Sequence, residues 1–567
     1  MTAPMPGASS KVMSLRDAVA AHVMAGDDLH VVCGHSRWGA SVSEVVRQWW
    51  GRDPGFTLTM LSLSSLGTLF FRGGLVRKVV TGYSGDVFPN FTPNKIFGDA
   101  YLSGEVEVEH WSFLAFQQRL EAAARGLPAM TTASIAGSSM ADNPGFALVD
   151  TPFGEVGLVA AAAPDIALVH GAVADRQGNV AFHPPMLEGV WGAWAARRGA
   201  IVTVERVVED ISPWAHLVRL PAHRVLSVTE CPLGAHPGGL YGRFTPAEPY
   251  GEDLEFWSEV RAASRRDDFD DWIRRWVLDV ADHAAFVHLL GTERLAELAR
   301  RAEVDSWRHD ARAHPVDVES PPNAWEVAAV HGAQILADRI LALDADAALA
   351  GAGVANLATW LGVELAAARG SHCVLTAELG LWAYEPTPAD PFVFNHRAFP
   401  SAAMLADSSE VLGMVMAGPG TTSVACLGAA VIDERGNIDS TVVGDRVFLV
   451  GSGGGNDVAS TADDVVVMTT LTARRAVGRV TYVTSPGRNV SCLVTDLGVF
   501  TKDAQGSFVL SAIAAGEPPV QERVALIAER VGWELRVAED LIELDEVDPA
   551  LVLRLRQWDP QGFFLRG

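Results

Sequence analysis

Two segments of this 567-residue chain carry side chains whose types and spacing could do covalent chemistry, VLTAELGLWAYEP (374–386) and GSGGGNDVAS (451–460). In the first, an apolar run ends at Thr376-Ala377, places Glu378 at the carboxyl end of a strand and turns at Gly380. With Leu379, Leu381 and Trp382 beside it, such a carboxylate is desolvated; its anion becomes a better nucleophile while its pKa rises. Backbone donors or local cations must then keep it ionised. Taken alone, a glutamate beside a strand-end glycine is more often a solvated loop carboxylate. In the second segment Gly451, Gly453, Gly454 and Gly455 permit positive φ and close approach to a ligand, so that several N–H groups can face one oxyanion. Asn456 and Asp457 suit helix N-caps. A flexible hairpin turn fits the same residues. In the first half, His35 and Arg37 in CGHSRWGAS (33–41) and Glu109 and His110 in EVEVEHWS (105–112) are polar candidates for substrate contacts, with buried structural roles as the alternative.

The elements that must position these residues are written twice. ALVHGAVADRQGNVAFH (167–183) matches VACLGAAVIDERGNIDS (424–440), so that Asp175, Gly178 and Asn179 pair with Asp433, Gly436 and Asn437. A β-branched run follows each copy, AIVTVERVV (200–208) and DVVVMTTLT (464–472). HRVLSVTECPLG (223–234) then parallels GRVTYVTSPG (478–487), each read as a strand ending in a loop with proline and glycine. Each half opens with a helical pattern feeding a strand, at 15–35 and 325–353. Strands alternating with helices predict an α/β fold of two homologous halves with largely parallel sheets. The polar run 301–323 ends in Pro-Pro and reads as a linker, dividing the chain into 1–304, a connection over 305–322, and 323–567. Ligand sites favour such interfaces and the carboxyl ends of parallel strands, so the active site is expected between the halves.

Composition narrows the chemistry. A net charge of −25 without a basic run argues against nucleic acid, although a few local cations and N–H groups can still hold an anionic ligand. The start of the chain does not read as a signal peptide, and the most apolar stretch (157–173) is cut by Pro164 and Asp165; a cytoplasmic protein without a membrane partner is expected. Five scattered cysteines without CxxC spacing read as buried thiols, not as a zinc or disulfide framework. Nucleotide P-loop, HExxH, GxSxG and GxGxxG signatures are missing, so phosphoryl transfer, metallohydrolysis and hydride transfer lose ground, and no metal ligand set is expected.

Glu378-Leu379-Gly380 with Pro386, followed by CLGAAVIDERGNIDSTVVGD (426–445), GSGGGNDVAS and RVTYVTSPG, resembles the second subunit of glutaconate-type family I CoA-transferases. KVMSLRDAVAAHVMAGD (11–27), RGLPAMTT (125–132), ADRQGNV (174–180), VTVERVV (202–208) and PLGAHPGGLYG (232–242) resemble the first subunit. The family's usual Gly-Gly-Phe turn and Arg-x-Pro are replaced here by CGHSRWGAS. The resemblance implies two subunits fused in one chain, forming a homo-oligomer. It also implies transfer of coenzyme A between an acyl-CoA and a carboxylic acid, expected to be dicarboxylic or otherwise polar. Glu378 is then the residue that forms the acyl anhydride and the glutamyl-CoA thioester. Gly453 and Gly454 are the expected backbone donors to the oxyanion, with Gly380 and Asn456 in the same coenzyme A loop group. Coenzyme A is a substrate in this chemistry and no permanently bound cofactor is required. An acyl-CoA hydrolase of the ring-cleaving kind, an acyl-CoA decarboxylase and a non-catalytic CoA-binding protein are the alternatives on the same scaffold.

Overall fold

The computed structural model describes residues 9–32, 39–242, 244–394, 396–444 and 446–566. A helix, Leu15–His22, capped by the Ser14 hydroxyl accepting from the Asp17 N–H, leads into the strand Asp28–Val31. That strand lies between Phe56–Thr59 and Ile166–Asp175, and Gly199–Val208 and Val225–Glu230 continue the sheet beyond the latter, every pairing parallel. Val76–Thr81 and Glu107–His110 extend the other side. Every residue of Ile166–Asp175 is buried, as expected of a strand covered on both faces, and its sequence is accordingly apolar without alternation.

The second half repeats the plan. The 20-residue helix Ala324–Leu343 starts from a capping box in which Asn323 and Glu326 satisfy each other's backbone N–H groups. It feeds the strand Ala347–Ala350, which lies between Val374–Ala377 and Ser423–Gly428; Asp464–Met468 and Val490–Val494 follow, all parallel. The order of these five strands is therefore that of Phe56–Thr59, Asp28–Val31, Ile166–Asp175, Gly199–Val208 and Val225–Glu230. Antiparallel strands Gly498–Lys502 and Phe508–Ile513 extend this second sheet.

The Asp-x-x-Gly-Asn turns are equivalent clamps. Asp175 accepts from the N–H groups of Gly178 and Asn179, and Asn179 in turn accepts from the Ala222 N–H at 3.0 Å. Asp433 accepts from the N–H groups of Arg435 and Asn437, and Asn437 accepts from the Gly487 N–H at 2.9 Å. Each clamp holds the one-turn helix that precedes the next parallel strand. This corrects the third repeated element: 478–484 forms no strand, and the partner of Val225–Glu230 is Val490–Val494. The β-branched composition of GRVTYVTSPG mimics a strand, but its Thr484 and Ser485 N–H groups turn aside to Ile438.

The polar segment 305–322 contains the helix Trp307–Ala313 and is tied to the second half, where Arg397 donates to Asp310 at 2.7 Å and Arg556 donates to the carbonyls of Asp317 and Ser320. Among the described residues no helix is long and apolar enough to cross a membrane. Cys231, Cys373, Cys426 and Cys492 are free and buried, with burial pushing each thiol up to about 12; Cys33 lies outside the described residues.

Candidate active site

Glu378 follows the strand Val374–Ala377 directly, at its carboxyl end. The chain reverses there: Ala377 pairs antiparallel with Leu381, the Gly380 N–H closes onto the Ala377 carbonyl at 3.0 Å, and Thr376 Oγ1 donates to the Leu381 carbonyl. Gly380 has φ +117, and a Cβ there would lie 2.0 Å from the Ala406 carbonyl oxygen. Only glycine fits, but its N–H is committed to the turn, so it contributes shape and not an oxyanion donor.

The glycine loop is bolted to the first half. Gly451 pairs antiparallel with Tyr83, and the Ser84 N–H donates to the Val450 carbonyl at 2.7 Å. Gly453, with φ +54, donates its N–H to the Gly82 carbonyl at 2.9 Å and accepts from the Phe113 N–H at 3.1 Å. The expectation that Gly453 donates to an oxyanion is therefore corrected. Its neighbour Gly454 does reach the carboxylate: the Gly454 N–H donates to Glu378, and a Cβ at 454 would lie 2.0 Å from Glu378 Oε2. Asn456 is a brace and not a ligand group, because its Oδ1 accepts from the Ile135 N–H and its Nδ2 donates to the Thr484 carbonyl, both at 2.9 Å. Asp457, the next residue of the short helix Gly455–Thr461, accepts from the Leu114 N–H at 3.0 Å, at the start of the helix Phe113–Ala124. These contacts place both halves around one carboxyl group.

Burial, and next the negative charge of Asp457, push the Glu378 carboxyl up to about 7; the Gly454 N–H opposes the shift. Burial pushes Asp457 itself up to about 6, against hydrogen bonds from the Leu114 N–H and the Ser112 hydroxyl. Near neutral pH Glu378 is thus divided between acid and anion, and the anion is more basic than an ordinary carboxylate.

Glu378 opens onto a cleft of about 1100 Å³, its mouth included, lined from the first half by Ser62, Tyr83, Phe91, Phe113 and Leu187. The second half adds Val393, Phe394, Leu427, Val458, Ser440 and the loop 451–455. Among the described residues that line it, Glu378 is the one carboxyl, and no Lys, Arg or His joins it. Leu379 and Leu381 are buried in the core, whereas Leu187, Leu427 and Val458 line the cleft onto which Glu378 opens.

Neither Glu109 nor His110 lines this cleft, which corrects their reading as substrate contacts. Glu109 is paired with Arg119 at 2.7 Å and Lys78 at 3.0 Å, and accepts from the Trp111 indole. His110 stacks on Phe448 with ring centres 5.4 Å apart, and burial lowers it to about 4, so it is neutral at physiological pH. His35 and Arg37 lie outside the described residues. The sequence marks Asp457 as a helix cap only and gives no local signal for Tyr83, Phe91, Phe113 and Phe394 beyond the clustering of Tyr83, Phe88 and Phe91 in one short segment.

Residues 12–230 match the family model described as Coenzyme A transferase. The chain is 29% identical over 318 residues to one of the two subunits of the glutaconate CoA-transferase of Acidaminococcus fermentans, covering 51% of this chain and 94% of that one. It is 30% identical over 164 residues to the other subunit from the same organism, covering 25% of this chain and 59% of that one. Its fold is shared by an acyl-CoA transferase from Escherichia coli O157:H7, with a TM-score of 0.64 at 16% identity over 97% of this chain and 98% of the other.

Proposed function

We propose that this chain, which matches the Coenzyme A transferase family model over residues 12–230 and has stretches similar to both subunits of a glutaconate CoA-transferase, moves coenzyme A through covalent intermediates on Glu378. Residues 1–304 and 323–567 are then the first-subunit-like and second-subunit-like halves, joined by 305–322. The supporting observation is the Glu378 carboxyl at the carboxyl end of its strand, facing a cleft built by both halves and touching the Gly454 N–H.

In the first step a Glu378 oxygen attacks the thioester carbonyl, a C–O bond forms, the C–S bond breaks, and coenzyme A leaves as thiolate. An acyl-glutamyl anhydride remains, as activated as the thioester it replaces, which is why a carboxylate serves here better than serine. The thiolate then attacks the glutamyl carbonyl, releases the first acid as carboxylate, and leaves a glutamyl-CoA thioester. The acceptor carboxylate runs the two steps in reverse. At the tetrahedral stage on the glutamyl carbon, the Gly454 N–H is already within reach of the developing oxyanion, a type of contact worth roughly 3–4 kcal/mol when removed. Leu187, Leu427 and Val458 keep water from the anhydride.

A carboxyl pushed up to about 7 could also serve as a general base toward water, the hydrolase reading. Incubation with an acyl-CoA, borohydride reduction and peptide mapping separate the two. Transfer leaves the Glu378 side chain reduced to an alcohol; hydrolysis yields free acid without acceptor and an unmodified peptide. The expectation of a dicarboxylic or otherwise polar acid meets no cationic partner among the described lining residues.

A further inference from the structure

From the walls of the cleft we infer that the acyl group carried by this enzyme is uncharged and apolar, and that Phe91 and Phe394 together form the partition that limits its length. The inference rests on the reading of Glu378 as the acylated residue. Phe91 and Phe394 meet edge to face with ring centres 5.8 Å apart. Both line the Glu378 cleft, and both also line a small cavity of about 30 Å³ behind it. Two rings therefore separate the two spaces.

The space behind the partition continues the same chemistry. Val87, Phe88, Leu254, Trp257 and Phe392 line it, and Phe88 packs on Phe392 at 5.1 Å. Glu252 closes its far side; burial, and next the charge of Asp390, push that carboxyl up to about 8 against the opposing charges of Arg301 and Arg397, which are themselves paired with Asp310 at 3.4 and 2.7 Å. On the near side, the Tyr83 hydroxyl is spent on the Asp86 carbonyl at 2.8 Å, which leaves its ring as the surface toward Phe91 at 6.0 Å. A second carboxylate on the acyl group would enter a space that no described Lys, Arg or His lines, with the nearby Arg301 and Arg397 already paired with Asp310, and an unpaired buried carboxylate is strongly disfavoured. An aryl or branched alkyl group meets the rings of Tyr83, Phe91 and Phe394 and the side chains of Leu187, Leu427 and Val458.

The partition makes a prediction about length. Truncating either ring joins the two cavities in line with the acyl site, and each methylene that gains an apolar slot is worth about 10-fold or more in specificity. The test measures kcat/KM for butyryl-, phenylacetyl-, octanoyl-, succinyl- and glutaryl-CoA with one shared acceptor, on the full chain and on Phe394→Ala and Phe91→Ala. Borohydride trapping at Glu378 is run in parallel. The unaltered enzyme is expected to favour the uncharged donors over succinyl- and glutaryl-CoA by on the order of 10²-fold. Either variant is expected to raise the octanoyl-to-butyryl ratio about 10-fold. A preference for the dicarboxylyl donors with Glu378 still labelled would overturn the inference alone. So would a folded variant whose donors all lose activity in equal proportion. Failure of every donor to label Glu378 would overturn the underlying transfer mechanism as well.

Discussion

Replacing Gly454 by alanine separates the chemistry of the site from the stability of the fold. Gly454 has φ −82 and ψ 0, a conformation alanine adopts freely, so the backbone itself offers no resistance. The new Cβ would lie 2.0 Å from Glu378 Oε2 and 3.6 Å from Leu412 Cδ1, where ordinary contact begins at 3.4 Å. The Leu412 contact is acceptable, but the Glu378 carboxyl must retreat, its Oε2 by about 1.4 Å, the difference between 3.4 and 2.0 Å, and its Cδ, at 3.2 Å, by a few tenths. Glu378 can do this by rotating its side chain, which keeps the cost to the fold within about 1 kcal/mol. A displacement of that size carries the proposed nucleophile out of line with a bound thioester and breaks its bond to the Gly454 N–H, and 1 Å errors of placement cost on the order of 10²-fold in rate. Isotope exchange between labelled free acid and its acyl-CoA reads the loss, and thermal melting reads the fold. Gly453→Ala is the comparison: its Cβ meets nothing within 4 Å, so only the strain of φ +54, roughly 1 kcal/mol, is expected, with exchange largely kept. Exchange by Gly454→Ala within about threefold of the parent would refute the proposed contact between loop and nucleophile.

Other consequences are open to direct measurement. The rate of acylation by acyl-CoA should rise with pH through about 7, where Glu378 ionises, and flatten above; a stopped-flow profile without an inflection there would contradict the ionisation. Because burial raises the folded-state pKa of Glu378 above its unfolded value, its contribution to stability is full below the unfolded value near 4.5 and is lost as pH rises through about 7. Glu378→Gln should therefore melt higher than the parent at about pH 8, by up to about 3 kcal/mol in stability, with the difference vanishing on acidification. Asp457→Asn removes the second-largest influence on Glu378 while leaving an oxygen for the Leu114 N–H, and should move the acylation profile toward lower pH. Asn456→Ala strands the buried Ile135 N–H and Thr484 carbonyl and should destabilise the fold by about 2–4 kcal/mol in chemical denaturation.

Much of this fold is legible in the sequence because parallel strands covered on both faces are written as unbroken apolar runs. Ile166–Asp175, Gly199–Val208 and Asp464–Met468 are of this kind, and the repeated Asp-x-x-Gly-Asn fixes how the halves correspond. The third repeat misleads because β-branched residues around Val480 and Val483 suit a strand locally, whereas the Asn437 clamp selects the next segment. Glu378 stands out through its place at a strand end. What holds it there does not, because the partners are remote: Leu114 and Asp457 are separated by 343 positions, and Ile135 and Asn456 by 321. The same distance hides the commitments of Gly453 and Asn456, whose residue types suit an anion loop but whose hydrogen bonds are spent joining the halves. Glu109 and His110 are polar residues near the carboxyl end of a first-half strand, yet Arg119, Lys78 and Phe448 already occupy them.

Oxygen bookkeeping at Glu378 tests the covalent mechanism most directly. With an acceptor acid carrying heavy oxygen in its carboxylate, each reverse passage through the anhydride leaves one acceptor oxygen on the Glu378 carboxyl, so the peptide containing residue 378 should gain mass after turnover. Brisk exchange of coenzyme A with no heavy oxygen in that peptide would contradict attack by Glu378.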